Sequence, residues 1–236
     1  MSRTVVDCFI FRDELDMLDR RFAEMEYRAD VFVIVEAATT FQGDPKPLVF
    51  AENRDRFARW SDRIVYVEAD LTGAHDVAWS REHLQREHFG VGLERLDLSP
   101  DDVVVISDVD EMWQLDRWPS DDDPFVVCEQ TCYVYSYHWK HPDRWQGPTA
   151  TTVAMLGRLP AETRFKTVRD CSRHPRPTRV RDGGEHLTWF GGVDACIRKL
   201  DTFSHVEFKC SARRGLLDGS YMRAGIHIDG TKLVPA

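Results

Sequence analysis

A chain of 236 residues is long enough for one large α/β domain or two small ones. Its 42% hydrophobic and 11% aromatic content is that of a packed globular protein and excludes a disordered chain or a coiled coil. The net charge of −9, from 31 Lys+Arg against 40 Asp+Glu, argues against broad electrostatic binding to nucleic acid; acidic groups gathered at one site would instead suit a divalent cation.

The elements predicted from the pattern alternate through the first half. Residues 5–11 form an apolar strand, and Asp13 is placed to cap a helix with Leu15, Leu18, Phe22 and Met25 on one face. Val31-Phe32-Val33-Ile34-Val35 is a continuous apolar run, the mark of a strand covered on both faces. A loop with Gly43, Pro45 and Pro47 precedes a short helix bearing Phe57 and Trp60, and residues 64–67 make a third strand. A helix over residues 79–89 leads to a fourth buried strand, Val103-Val104-Val105-Ile106. This series predicts a mostly parallel sheet of Rossmann type, flanked by helices. Ligands in such sheets sit at the carboxyl ends of the strands, so the polar residues after each strand are the ones to inspect.

The second half changes character. Residues 125–127 and 133–137 have strand composition, and residues 169–184 are rich in Arg, Pro and Gly without apolar periodicity, which predicts a long loop able to act as a lid. The expected organisation is one domain over residues 1–236, with a nucleotide-binding half to about residue 115 and an acceptor-binding half over 116–236. No run reaches the ~20 apolar residues of a membrane span, and no signal peptide is recognised at the N-terminus. The six cysteines are scattered and are expected to be free and buried, with the cytoplasm as the default compartment.

Asp108-Val109-Asp110-Glu111 is the strongest local signal. Three acidic groups in four residues repel one another unless a cation neutralises them. Mg²⁺ or Mn²⁺, held by one or two carboxylates and phosphate oxygens, meets that need and would neutralise a departing diphosphate. A solvated acidic turn is the plain alternative, as expected for Asp121-Asp122-Asp123.

Ordered segments carry a resemblance. They are residues 7–18 (Asp7-Cys8-Phe9-Ile10-Phe11-Arg12-Asp13-Glu14 onward), Phe32-Val33-Ile34-Val35-Glu36, residues 40–48, Trp79-Ser80-Arg81-Glu82 and Ile106-Ser107-Asp108-Val109-Asp110-Glu111. In the second half come residues 183–192 around His186, then Lys199 and Phe203-Ser204-His205. Together they resemble glycosyltransferase family 17, the β-1,4-mannosyl-glycoprotein N-acetylglucosaminyltransferases and their bacterial relatives. The chain departs from that pattern at Glu185, where the family usually has Trp, and at Met112-Trp113, where it usually has Ile-Pro, and it is expected to be without the animal enzymes' membrane anchor.

The resemblance implies a GT-A-like fold, inverting transfer, a nucleotide-sugar donor (a UDP-sugar) and a carbohydrate or other hydroxyl acceptor. Asp108 and Asp110 become the metal ligands, completed by His205 or alternatively His186. Asp194 is the first candidate for the base that deprotonates the acceptor, with Glu185 and Glu111 in reserve. Phe11, Glu14, Glu36, Lys46, Arg81 and Asp108 are the candidates for binding the donor, Lys46 and Arg81 through its phosphates. Tyr133, Tyr135, Tyr137, Trp139 and Trp145 offer a sugar-stacking face or strand-core packing. Competing readings are a sugar nucleotidyltransferase, disfavoured because Phe11-Arg12-Asp13-Glu14 has no Gly-rich phosphate loop, and a carbohydrate-binding module without activity. A modified nucleic-acid base is a less favoured acceptor.

Overall fold

The structure is a computed structural model and describes residues 3–170 and 177–236. Strands are β1 (Val5–Phe11), β2 (Val31–Ala37), β3 (Ile64–Ala69), β4 (Val103–Asp108), β5 (Glu111–Trp113), β6 (Val126–Val134), β7 (Trp139–Lys140), β8 (Trp145–Thr152), β9 (Thr178–Thr188) and β10 (Val234–Pro235). Helices are α1 (Leu15–Met25), α2 (Val49–Glu52), α3 (Ala78–Glu87), α4 (Phe89–Leu93), α5 (Val153–Leu156), α6 (Arg164–Asp170), α7 (Gly192–Thr202), α8 (Lys209–Leu217) and α9 (Ser220–Ala224).

One sheet runs β10-β7-β6-β8-β4-β1-β2-β3, with β9 joined to β6 and β5. The first four strands pair in parallel, as the alternating pattern requires. The second half adds antiparallel strands, so the complete sheet is mixed. Alternate residues of the central strands feed two apolar layers: Phe9, Phe11, Phe32 and Ile34 on one face, Cys8, Val33, Val35 and Ile106 on the other. Leu18, Phe22 and Met25 bring α1 onto the first layer, each large side chain contributing about 1.5–3 kcal/mol by burial. A third cluster, including Trp189, Cys196, Leu200 and Leu216, lies under α7 and α8. Among the described residues no helix is long and apolar enough to cross a membrane. The described cysteines are free, and Cys8, Cys128, Cys132 and Cys196 are buried.

Two local expectations are corrected. Asp13 does not cap α1; Glu14 holds the cap position without a side-chain cap bond, because its carboxylate turns back to accept the amides of Arg12 and Asp13. The stretch predicted as a long loop, residues 169–184, begins in the last turn of α6 and ends in the first seven residues of β9, an eleven-residue strand. Its mix of Arg, Asp and Gly hid it, since β9 gains its order from β6 on one side and β5 on the other. Gly184 is demanded by that pairing: its φ is +111°, and a Cβ there would lie 1.9 Å from the Met112 carbonyl oxygen. Cys171, Arg173, Pro175 and Arg176 of the expected lid lie outside the described residues.

Candidate active site

A cavity of about 690 Å³ opens at the carboxyl ends of β1 and β4, within the size range of small-molecule sites. The first half of the chain contributes Phe11, Arg12, Glu14, Lys46, Glu82, Arg86, Asp108 and Asp110 to its wall. The second half contributes Asp143, Trp145, Arg169, His186, Lys199, His205, His227 and Asp229.

The acidic motif lies between protein cations. Asp108 accepts from Arg86 (2.6 Å) and Arg169 (3.1 Å). Asp110 pairs with Lys199 Nζ at 2.8 Å and has His186 Nε2 at 3.5 Å. Glu111 is fully buried, takes a two-pronged contact from Arg169, and accepts the Asp108 amide (2.8 Å) and the Trp145 indole. The repulsion expected within the motif is therefore already offset by Arg86, Arg169, Lys199 and His186.

Burial by itself would raise the Asp110 pKa, but Lys199 and His186 outweigh it and hold the carboxyl well below its usual range. Burial opposes charge on His186 as well, yet Asp110 and the contact with Cys132 raise its imidazole to about 10. Arg86 and Arg169 likewise overcome burial to keep Asp108 ionised.

The expected site residues separate into two groups. Phe11, Glu14, Lys46, Asp108, Asp110 and His205 reach the cavity. Lys46 Nζ donates to the carbonyls of Arg12 (3.1 Å) and Pro47 (3.0 Å) and to Glu36 (3.1 Å). Glu36, Arg81, Glu185 and Asp194 do not line it. Glu36 is fully buried and accepts the Phe50 amide and the Tyr66 hydroxyl, so it fixes the start of α2. Arg81 donates to the Phe41 carbonyl and pairs with Asp76, holding the loop after β2.

Glu185 and Asp194 are corrected as base candidates. Strand alternation sends His186 to the cavity and Glu185 to the opposite face, where it accepts from the Tyr137 hydroxyl (3.1 Å). On α7 the cavity side is set by Lys199 and Thr202, and Asp194, five residues before Lys199, is turned to solvent. His205 lines the same cavity, where its Nδ1 contacts Glu207 (2.7 Å) and its ring meets Trp79 edge-on. His186 is the histidine that reaches the motif, because β9 pairs it with Glu111. Of the five aromatics, Trp145 lines the cavity, its ring 4.5 Å from that of His186.

Arg12, Arg86 and Arg169 carry much of the site's charge; Arg12 follows β1 and Arg169 opens the Arg-rich stretch, whereas Arg86 was missed. A cation on the strand-facing side of a helix, such as Arg86 after Leu84, was the available signal.

The metal that the resemblance implies meets a suitable donor set. Asp108 and Asp110 present hard carboxylate oxygens at the cavity wall, with the Asp108 side chain 29% exposed and accessible to an ion.

The family profile described as Glycosyltransferase family 17 matches residues 1–224. The chain is 30% identical over 171 residues to the Homo sapiens "Beta-1,4-mannosyl-glycoprotein 4-beta-N-acetylglucosaminyltransferase", covering 66% of this chain and 31% of that protein. The Mus musculus protein of the same name is 29% identical over a stretch of the same length. The chain thus spans under a third of the length of the curated relatives it matches. Among solved structures, 4-diphosphocytidyl-2C-methyl-D-erythritol synthase aligns at a TM-score of 0.49 and 11% identity, over 85% of this chain and 98% of its own. The galactosyltransferase LgtC, in complex with donor and acceptor sugar analogs, aligns at 0.39 and 11%, over 70% and 66%. Both scores are too low to bear on the chemistry. The profile match runs through the acidic motif, β9 and α7 alike, and the chain belongs to glycosyltransferase family 17.

Proposed function

We propose that the chain transfers a sugar, with N-acetylglucosamine the first candidate, from a nucleotide-sugar donor to an acceptor hydroxyl with inversion. The observation that carries this reading is the acidic motif at the carboxyl end of β4, set among Arg86, Arg169 and Lys199 on the wall of a nucleotide-sized cavity. A UDP-sugar fits the family and the size of the cavity.

Asp108 and Asp110 would hold a divalent ion, Mn²⁺ or Mg²⁺, which when bound supplies positive charge for the diphosphate leaving group. Lys46, Arg86, Arg169 and Lys199 add protein cations on the same wall, a preorganised field for that developing charge. Trp145 offers an apolar ring to the sugar or the acceptor.

The acceptor oxygen attacks the anomeric carbon as the bond from that carbon to the phosphate oxygen breaks. A carboxylate takes the hydroxyl proton. Asp143 suits this role: it lines the cavity, and among the described residues it is the lining carboxylate whose oxygens make neither an ion pair nor a hydrogen bond. The others are engaged, Glu14 by Arg12, Glu82 by Arg86, Asp170 by Lys166 and Asp229 by His227.

Calorimetry of UDP binding with and without Mn²⁺ tests the reading, alongside a screen of UDP-sugars for metal-dependent hydrolysis. Metal-dependent binding that disappears in Asp110→Asn is expected. Affinity indifferent to both Mn²⁺ and that substitution would overturn the assignment of the ion.

A further inference from the structure

On the part of the cavity wall built by the second half of the chain, His141, His227 and Asp229 bring ligand atoms to within 4.8 Å of one another. They come from the turn after β7 and the loop ahead of β10, which are far apart in sequence. We propose that these three residues form a second metal site, for a borderline transition ion such as Zn²⁺, tying the two loops together at the cavity wall.

The donor chemistry is specific. Two imidazoles and one carboxylate suit Zn²⁺ and its neighbours, whereas Mg²⁺ and Ca²⁺ prefer all-oxygen shells. The set therefore differs in kind from the carboxylates of Asp108 and Asp110. A tetrahedral ion with bonds of about 2.0–2.2 Å holds its ligands roughly 3.4 Å apart, so only a small closure of the loops is needed.

A second observation points the same way. His227 Nδ1 is buried yet makes no hydrogen bond. Asp229 Oδ1 lies 3.0 Å from it, close enough to share an ion but not aligned as an acceptor. The imidazole nitrogen thus has a carboxylate oxygen beside it but no well-aligned hydrogen bond, a geometry that an ion shared by the two would satisfy.

The backbone holds the groups in place. The His227 amide donates to the Thr231 carbonyl (2.9 Å), the Gly230 amide to the His227 carbonyl (2.9 Å), and Asp229 Oδ1 accepts the Thr231 amide (2.8 Å). Across the gap, the His141 amide donates to the Cys132 carbonyl of β6 (2.9 Å). His141 Nδ1 accepts the exposed Asp143 amide at 3.1 Å, a bond that ligation through this nitrogen would replace. The two rings meet at 82° with centroids 5.6 Å apart. His227 and Asp229 lie beyond residue 224, where the family match ends, whereas His141 lies within it.

The test uses protein stripped with a chelator and titrated with Zn²⁺ by calorimetry, with Co²⁺ as a visible-absorption probe. Wild type and Asp110→Asn are each expected to bind an ion with ligand-field bands, and His227→Ala and His141→Ala to weaken binding at least about tenfold and lose those bands. His227→Gln, which keeps size and polarity, is the companion should the alanine variant fold poorly. Absence of Zn²⁺ and Co²⁺ binding by the wild type overturns the proposal. So does binding that survives His227→Gln but is lost in Asp110→Asn, which would give the ion to the acidic motif. Neither readout involves sugar transfer.

Discussion

Arg21 and Asp7 face each other at the junction of α1 and β1, 2.7 Å apart and both fully buried. The guanidinium also donates to Ser107 Oγ and to the carbonyls of Asp108, Val109 and Glu111. Asp7 in turn accepts the Trp113 indole (3.0 Å). The turn carrying the acidic motif is thus folded around one buried cation, and its carboxylates owe their position to a residue that does not reach the cavity.

Arg21→Met should therefore destabilise the chain strongly. It leaves the Asp7 charge buried without its partner and frees three carbonyls, a loss on the order of 3–5 kcal/mol. Arg21→Lys keeps the charge but not the fork of donors, and should lie between. Urea midpoints measure both, and a change in Arg21→Met within ~0.5 kcal/mol would contradict the role assigned to the pair.

Arg169 neutralises Asp108 and Glu111 together. Arg169→Gln should lower the melting temperature of the protein in chelator, because Glu111 is left buried without its guanidinium. Mn²⁺ should then raise the melting temperature more in the variant than in wild type, since the ion supplies the missing charge. Equal shifts in the two proteins would show that ion and guanidinium do not act on the same carboxylates.

The His186 and Asp110 pair makes stability depend on pH in a defined direction. His186 is raised from 6.5 to about 10, so its contribution is complete below about pH 6.5 and lost as the pH climbs towards 10. Asp110 is lowered from 3.8, so its contribution is present above about pH 4 and lost on further acidification. Between pH 6.5 and 10, wild type in chelator should lose on the order of a few kcal/mol more than His186→Gln, read from urea midpoints. Parallel pH profiles would mean that His186 carries no proton in the folded state.

Asp143→Asn removes the proposed base without removing a packed group, because Asp143 is an exposed residue of the cavity wall. Turnover should fall by about 10² to 10⁴ while UDP affinity and the melting temperature stay near wild type. Near-normal turnover would pass the role to another carboxylate on the wall.

By itself the sequence determined the four parallel strands, since uninterrupted runs such as Val103-Val104-Val105-Ile106 are stable only when covered on both faces. The family resemblance and the acidic motif at the end of β4 were legible in the same way, because both are local in the chain. Asp7 inside an apolar strand and Arg21 on the apolar face of α1 were visible as misplaced charges, but nothing local paired them across fourteen residues. The tertiary structure alone decided which side chains meet in the cavity. Arg86, Arg169, His186 and Lys199 come from α3, α6, β9 and α7, and only the pairing of β9 with β5 and the packing of these helices against the sheet bring them to Asp108 and Asp110. Asp194 and Glu185 lost their candidacy for the complementary reason. Sequence proximity to the motif segments says nothing about which way a side chain points, and the pitch of α7 and the alternation of β9 turn both away from the cavity.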